Sequence, residues 1–234
     1  MNFLELALAV LPGILLCYVI YRLDRWDEEP IGWLVGCFLL GMLVTFPAMW
    51  LELRGFRLLA LDGERPFWPT ASLAFVVIAF NEESLKMFCL LAVPFRRPVF
   101  NEPLDGIVYS MMIGMGFATA ENLVYAERFG LETIFIRAFT AVPAHAVFAI
   151  YSGYFVGLAK FDPARKWQLL RRGFIYTVML HGLYDFLIIQ KYEQWLSVLA
   201  TFGLYGSLVY STKLIQLHAD NSPFRTNRGG ETPI

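Results

Sequence analysis

The sequence predicts an all-α, polytopic transmembrane helical bundle, and three observations predict it. Hydrophobic residues fill 57% of the 234 positions and charged ones only 17%, with a mean hydropathy of +0.53, too apolar for a water-soluble domain. Several stretches reach the roughly 20 apolar residues that cross a hydrocarbon core. These runs are continuous, whereas a β-barrel strand would alternate apolar and polar residues over about ten positions. The net charge of −1 offers no footprint for nucleic acid. Cys17, Cys37 and Cys89 fall inside predicted spans, spaced for neither a disulfide framework nor a metal site.

Seven spans follow in order. The first, 3–21, has no basic segment before it and carries Glu5 where a signal peptide needs positive charge, so it is expected to be a retained helix. The second covers 31–51, and the loop after it has room for an interfacial turn. The third, 69–93, contains "FNEESLK" (80–86). The fourth, 105–126, opens on Asp105 as an N-cap and sets Gly114, Gly116, Ala118 and Ala120 beside Glu121. The fifth, 133–159, has Gly153 and Gly157 at GxxxG spacing, and Pro143 is expected to kink it near His145. Spans six and seven cover 173–190 and 195–212. One transmembrane domain thus occupies 1–213, and 214–234, with His218, reads as a disordered cytoplasmic tail. Lys and Arg number twelve in loops 1, 3 and 5 and the tail against five in loops 2, 4 and 6. That bias predicts a cell-membrane protein with an extracytoplasmic N-terminus and a cytoplasmic C-terminus.

Ionisable side chains in a bilayer core cost roughly 2.5–3.5 kcal/mol each on insertion scales, so they face a protein interior or an aqueous cavity. Span three carries Glu82, Glu83 and Lys86, span four Glu121 and Asn122, span five Arg137 and His145, and span six His181 and Asp185. Glu82 and Glu83 stand four and three residues from Lys86, so either shares a helical face with it. Adjacent residues point about 100° apart, so the two glutamates need different partners. His181 and Asp185 are again four apart, which lets the carboxylate orient the imidazole. Arg137 lies near the outer end of its span, where it can snorkel, and receives no chemical role. Four helices are expected to converge on one polar pocket toward the extracytoplasmic side.

Such a pocket suits hydrolysis of a peptide bond. A buried glutamate serves as general base, and imidazoles and the Asn122 amide donate to the oxyanion. Alternatively His145, His181 and a glutamate, with Glu121 as the candidate, hold Zn²⁺ and acidify a bound water. HExxH is absent from the sequence, as are G-x-S-x-G, a P-loop and a dinucleotide fingerprint. A proton-coupled transporter using the same groups as a relay is the rival reading, and a non-catalytic membrane scaffold is a third.

Four stretches in order, "FNEESLK" (80–86), "DGIVYSMMIGMGFATAENLVYA" (105–126), "AVPAHAVFAIYSGYFVGLAK" (141–160) and "HGLYDF" (181–186), resemble the PrsW family of intramembrane proteases over residues 70–190. More distantly the pattern is similar to the type II CAAX prenyl protease and Abi superfamily. Glu82-Glu83 matches its first motif, His181 with Asp185 its third, and Phe117 with Glu121 its second, with glutamate in place of histidine. The resemblance implies endoproteolysis of a membrane-associated protein, with first-site cleavage of an anti-sigma factor as the role class. By it Glu82 is the general base and Glu83 with Lys86 fixes the local geometry. Glu121, His145 and His181 complete the water-activating and oxyanion groups, and Asp185 orients His181.

Overall fold

The computed structural model describes residues 1–59 and 67–225, and among them the chain is helical with no strand. Helix α1 (Phe3–Leu23) starts at a capping box in which the Asn2 side chain accepts from the Glu5 amide and Glu5 accepts from the Asn2 amide. Helix α2 (Ile31–Leu58) returns across the bundle. The third crossing is composite: α3 (Phe67–Ser72), a π-helical stretch Leu73–Phe80, then α4 (Asn81–Ala92). Helices α5 (Leu104–Phe139), α6 (Ala141–Phe161), α7 (Lys166–Ile189) and α8 (Gln194–Asp220) complete the fold.

Among the described residues, five helices, α1, α2, α5, α6 and α8, are long and apolar enough to cross a membrane. The α3–α4 composite and α7 carry further polar groups of the site, among them Glu82, Glu83, Lys86, His181 and Asp185. Helix α5 is the axis. From Leu104 to Ala120 every residue of it is buried, against α1, α2 and α6. Outward-facing positions are apolar as well, with Phe3, Phe88 and Phe202 more than half exposed, as a lipid-facing surface requires.

Close approach of α5 and α6 depends on absent side chains. A Cβ on Gly153 would overlap the Gly106 carbonyl, and one on Gly157 the Pro103 carbonyl. The GxxxG pair therefore seats the first turn of α5, at the end of that helix away from Glu121.

Three expectations need correction. The predicted fifth span, 133–159, is two pieces. Gly130, at φ 74, breaks α5, and the chain turns again at Thr140 before α6 begins. Arg137 consequently belongs to the end of α5 and folds back over Glu121. Pro143 does not kink a helix, because it lies in the first turn of α6, where its missing N–H has no intrahelical partner to lose. Finally, α8 continues through 214–220, where a disordered tail was expected. Leu214, Ile215 and His218 are buried, and His218 Nε2 donates to the Tyr154 carbonyl at 3.0 Å. Residues 226–234 of the expected tail lie outside the described residues.

Candidate active site

The π-helical stretch is wider than an α-helix and ends at Phe80, so it sets the facing of the residues that follow. Asn81 then locks that facing. Its amide donates to the Ala48 carbonyl at 3.0 Å and to Glu52 Oε1 at 3.3 Å, both on α2.

Lys86 collects the first cluster. Its ammonium donates to Glu82 Oε2 at 2.8 Å and Glu83 Oε1 at 2.9 Å, lies 3.2 Å from His145 Nδ1, and sits over the Phe117 ring at 4.1 Å. An ammonium only donates, so His145 Nδ1 accepts and its proton resides on Nε2. Nε2–H accordingly donates to Glu121 Oε2 at 3.0 Å. The same oxygen receives Arg137 Nη2 at 2.9 Å, while Arg137 Nε donates to Asn122 Oδ1 at 2.8 Å. The guanidinium stacks over Tyr125 at 3.9 Å.

His181 forms the second centre. Nδ1 lies 2.9 Å from Glu83 Oε1 and Nε2 lies 3.3 Å from Asp185 Oδ2, with the ring stacked on Phe148 at 4.4 Å. The expected His181–Asp185 pairing is therefore direct.

A cavity of about 270 Å³ joins these groups, lined by Glu82, Glu121, Arg137, His145, His181 and Asp185. It lies at the same end of the bundle as the N-terminus, where the Met1 amine is 3.6 Å from Glu127 Oε2, just beyond Glu121. Glu83 and Lys86 stand behind this wall and are not part of it. Asn122 is absent from the wall too. Its oxygen accepts from Arg137, and its amide nitrogen, the group that would donate to an oxyanion, is buried behind the wall without a hydrogen-bond partner.

Two groups escaped sequence reasoning. Glu52 of α2 also lines the cavity. Its place at the end of an apolar run made it look like an interfacial residue. Arg137 was read as snorkelling because the break at Gly130 was not foreseen. Its spacing of sixteen residues from Glu121 carries no periodic signal.

The expected ligands Glu121, His145 and His181 all line the cavity. Glu121 and His145 bond each other and are committed to Arg137 and Lys86. Among the described residues, the group whose donor atoms lie within 4.8 Å of one another is Glu82, Glu83 and His181, all buried. The chemistry of that set fits a Zn²⁺-type ion, since two carboxylates and an imidazole are ordinary zinc donors. Lys86 takes one oxygen of each carboxylate and leaves the other. In the arrangement seen, both ring nitrogens of His181 donate, Nδ1–H to Glu83 and Nε2–H to Asp185; metal ligation would require Nδ1 to give up its proton, with Asp185 keeping the one on Nε2.

A protein-family model described as "PrsW family intramembrane metalloprotease" matches residues 29–212. Among similar curated proteins, Protease PrsW of Geobacillus kaustophilus is 36% identical over 186 residues, 80% of each chain. Protease PrsW of Bacillus subtilis is 33% identical over 206 residues, 87% of this chain and 90% of its own. Protease PrsW of Clostridioides difficile is 30% identical over 192 residues, 80% of this chain and 79% of its own. No solved structure matches the chain. The match spans all four stretches quoted above and sets aside the transporter and scaffold readings. This chain belongs to the PrsW family of intramembrane proteases and is a multi-pass, membrane-embedded protease.

Proposed function

We propose that the chain is an endopeptidase that hydrolyses a peptide bond of a membrane-associated protein inside the cavity between α2, α4, α5, α6 and α7. The supporting observation is that Glu82, Glu121, His145 and His181, carried by four different helices, face one enclosed space. Glu82 is the general base. It is the glutamate of the pair that reaches the cavity, and it takes a proton from the attacking water as the oxygen adds to the scissile carbonyl. The tetrahedral carbon then expels the amine, which leaves with the proton that Glu82 had accepted. Arg137 neutralises the developing oxyanion. Its aim is fixed by Glu121 and Asn122, and Glu121 is fixed in turn by His145.

Glu83 holds Lys86 and His181 in place from behind, and Asp185 holds the far side of the His181 ring. Glu82, Glu83 and His181 would hold the metal ion that the family description implies; such an ion would supply an acidified water and a Lewis acid, and Glu82 would then serve as a ligand in place of its role as base. The orientation we infer puts the N-terminus and the cavity end on the extracytoplasmic side and the C-terminus in the cytoplasm. The proposed use is the first cut of an anti-sigma factor. Co-expression with a candidate anti-sigma factor tests that use: intact substrate accumulates with Glu82→Gln and is cut with wild type. A substrate processed equally in both is not cut by this site.

A further inference from the structure

The opposite end of α5 carries a second concentration of acid that catalysis does not use. Asp24 caps the end of α1, Asp27 and Glu29 follow in the α1–α2 loop, and Glu102 and Asp105 open α5. Asp24, Glu29, Glu102 and Asp105 are each 5% exposed or less. Asp105 stands sixteen residues before Glu121, about 24 Å along the helix at 1.5 Å per residue, so this is a separate place.

The carboxyls come in two facing pairs. Asp24 meets Glu102, and Glu29 meets Asp105, each within hydrogen-bonding reach. The second pair is anchored. Tyr109 donates to Glu29, and Asp105 Oδ2 accepts the Asn101 and Glu102 amides at 2.6 and 2.9 Å. The first pair is not. Both oxygens of Asp24 and both of Glu102 are buried and make no well-formed hydrogen bond, although the Glu29 amide approaches Asp24 and the Ser222 hydroxyl approaches Glu102; Glu29 Oε1 and Asp105 Oδ1 are likewise buried without one. The Ser222 hydroxyl, just past α8, is the neutral group nearest Glu102. Lys160 acts on Asp105 through its charge while one of its N–H groups donates to the Phe95 carbonyl. Burying a carboxylate without a counter-charge is among the costliest things a fold can do.

We propose that Asp24 and Glu102, with the Ser222 hydroxyl, bind a hard divalent cation, Mg²⁺ or Ca²⁺, that clamps the α1–α2 loop, the start of α5 and the end of α8 together. The all-oxygen donor set suits those ions and disfavours zinc. Glu29 and Asp105 stand behind it as an outer shell held by Tyr109. Burial, with the neighbouring carboxylates, pushes the Asp24 carboxyl up to about 8 and Glu29 to about 7.

The test uses the full chain in detergent, stripped with chelator, in the Glu82→Gln, His181→Ala background so that the intramembrane donors contribute nothing. Mg²⁺ and Ca²⁺ are titrated separately while Tm is followed, and Mn²⁺ binding is counted by electron paramagnetic resonance. The expected result is a saturating rise in Tm with at least one ion and one tight Mn²⁺ per chain. Glu102→Gln should weaken both at least tenfold. Asp24→Asn does the same wherever it folds, and the Mn²⁺ count needs neither variant. No Tm rise and no bound Mn²⁺ overturns the site, as does a Tm rise and Mn²⁺ count that Glu102→Gln leaves intact. The rival is a pair of shared protons. Carboxyls raised in the folded state lose their stabilising contribution as pH climbs toward the folded value. Stability that falls between pH 6 and 8 by the same amount with and without divalent ions would therefore also overturn the proposal.

Discussion

The two ends of α5 handle buried carboxylates in opposite ways. At the cavity end, the acids other than Glu52, which accepts from the Asn81 amide, have basic partners built from the chain itself: Lys86 bridges Glu82 and Glu83, Arg137 and His145 share Glu121, and His181 lies between Glu83 and Asp185. At the other end, Asp24 and Glu102 face each other with no such partner. The contrast teaches what each end is for. A network satisfied by permanent charges holds its geometry whatever the solution contains, as a catalytic site must. An acidic pair left open is complete only with something supplied from outside.

Deleting a charge should therefore be ruinous at one end and mild at the other. Lys86→Met leaves two buried glutamates without their ammonium and should cost about 3–5 kcal/mol, read as a collapse in Tm. Adding Glu82→Gln and Glu83→Gln to it should restore stability and leave the protein inactive. Arg137→Ala should lower kcat by about 10²–10³ while the protein still folds, because the oxyanion loses its donor. Equal losses in kcat and KM terms with Arg137→Lys would instead mark Arg137 as a packing group. Gly153→Ala pushes α6 off the Gly106 carbonyl and should cost about 1–3 kcal/mol, detectable by denaturation. Smallest of all, Glu102→Gln in chelator should leave Tm unchanged or slightly raised, since it removes like-charge repulsion. A large drop there would erase the contrast between the ends.

Much of this arrangement is legible in the sequence, because a charge in an apolar run announces itself. Glu82, Lys86, Glu121, His145, His181 and Asp185 stand out for that reason alone, and helical spacing pairs His181 with Asp185. Arg137 could not be found in this way. Its partner Glu121 is reached only because Gly130 and Thr140 reverse the chain within a stretch that reads as one continuous span. Glu52 lies where carboxylates are inexpensive, so its turn into the cavity left no mark. Pro143 misled for a related reason: a proline inside a presumed span signals a kink, but the helix begins just before it. The acidic pair was invisible because Asp24 and Glu102 are loop residues 78 positions apart, ordinary until the fold buries them together.

The account stands most directly on one rate. Purified wild type and Glu82→Gln, matched in Tm and reconstituted into liposomes with the same membrane-associated substrate, should differ about 10³-fold in cleavage. Cleavage by the glutamine variant at the wild-type rate would contradict the assignment of the cavity as the place where the bond is broken.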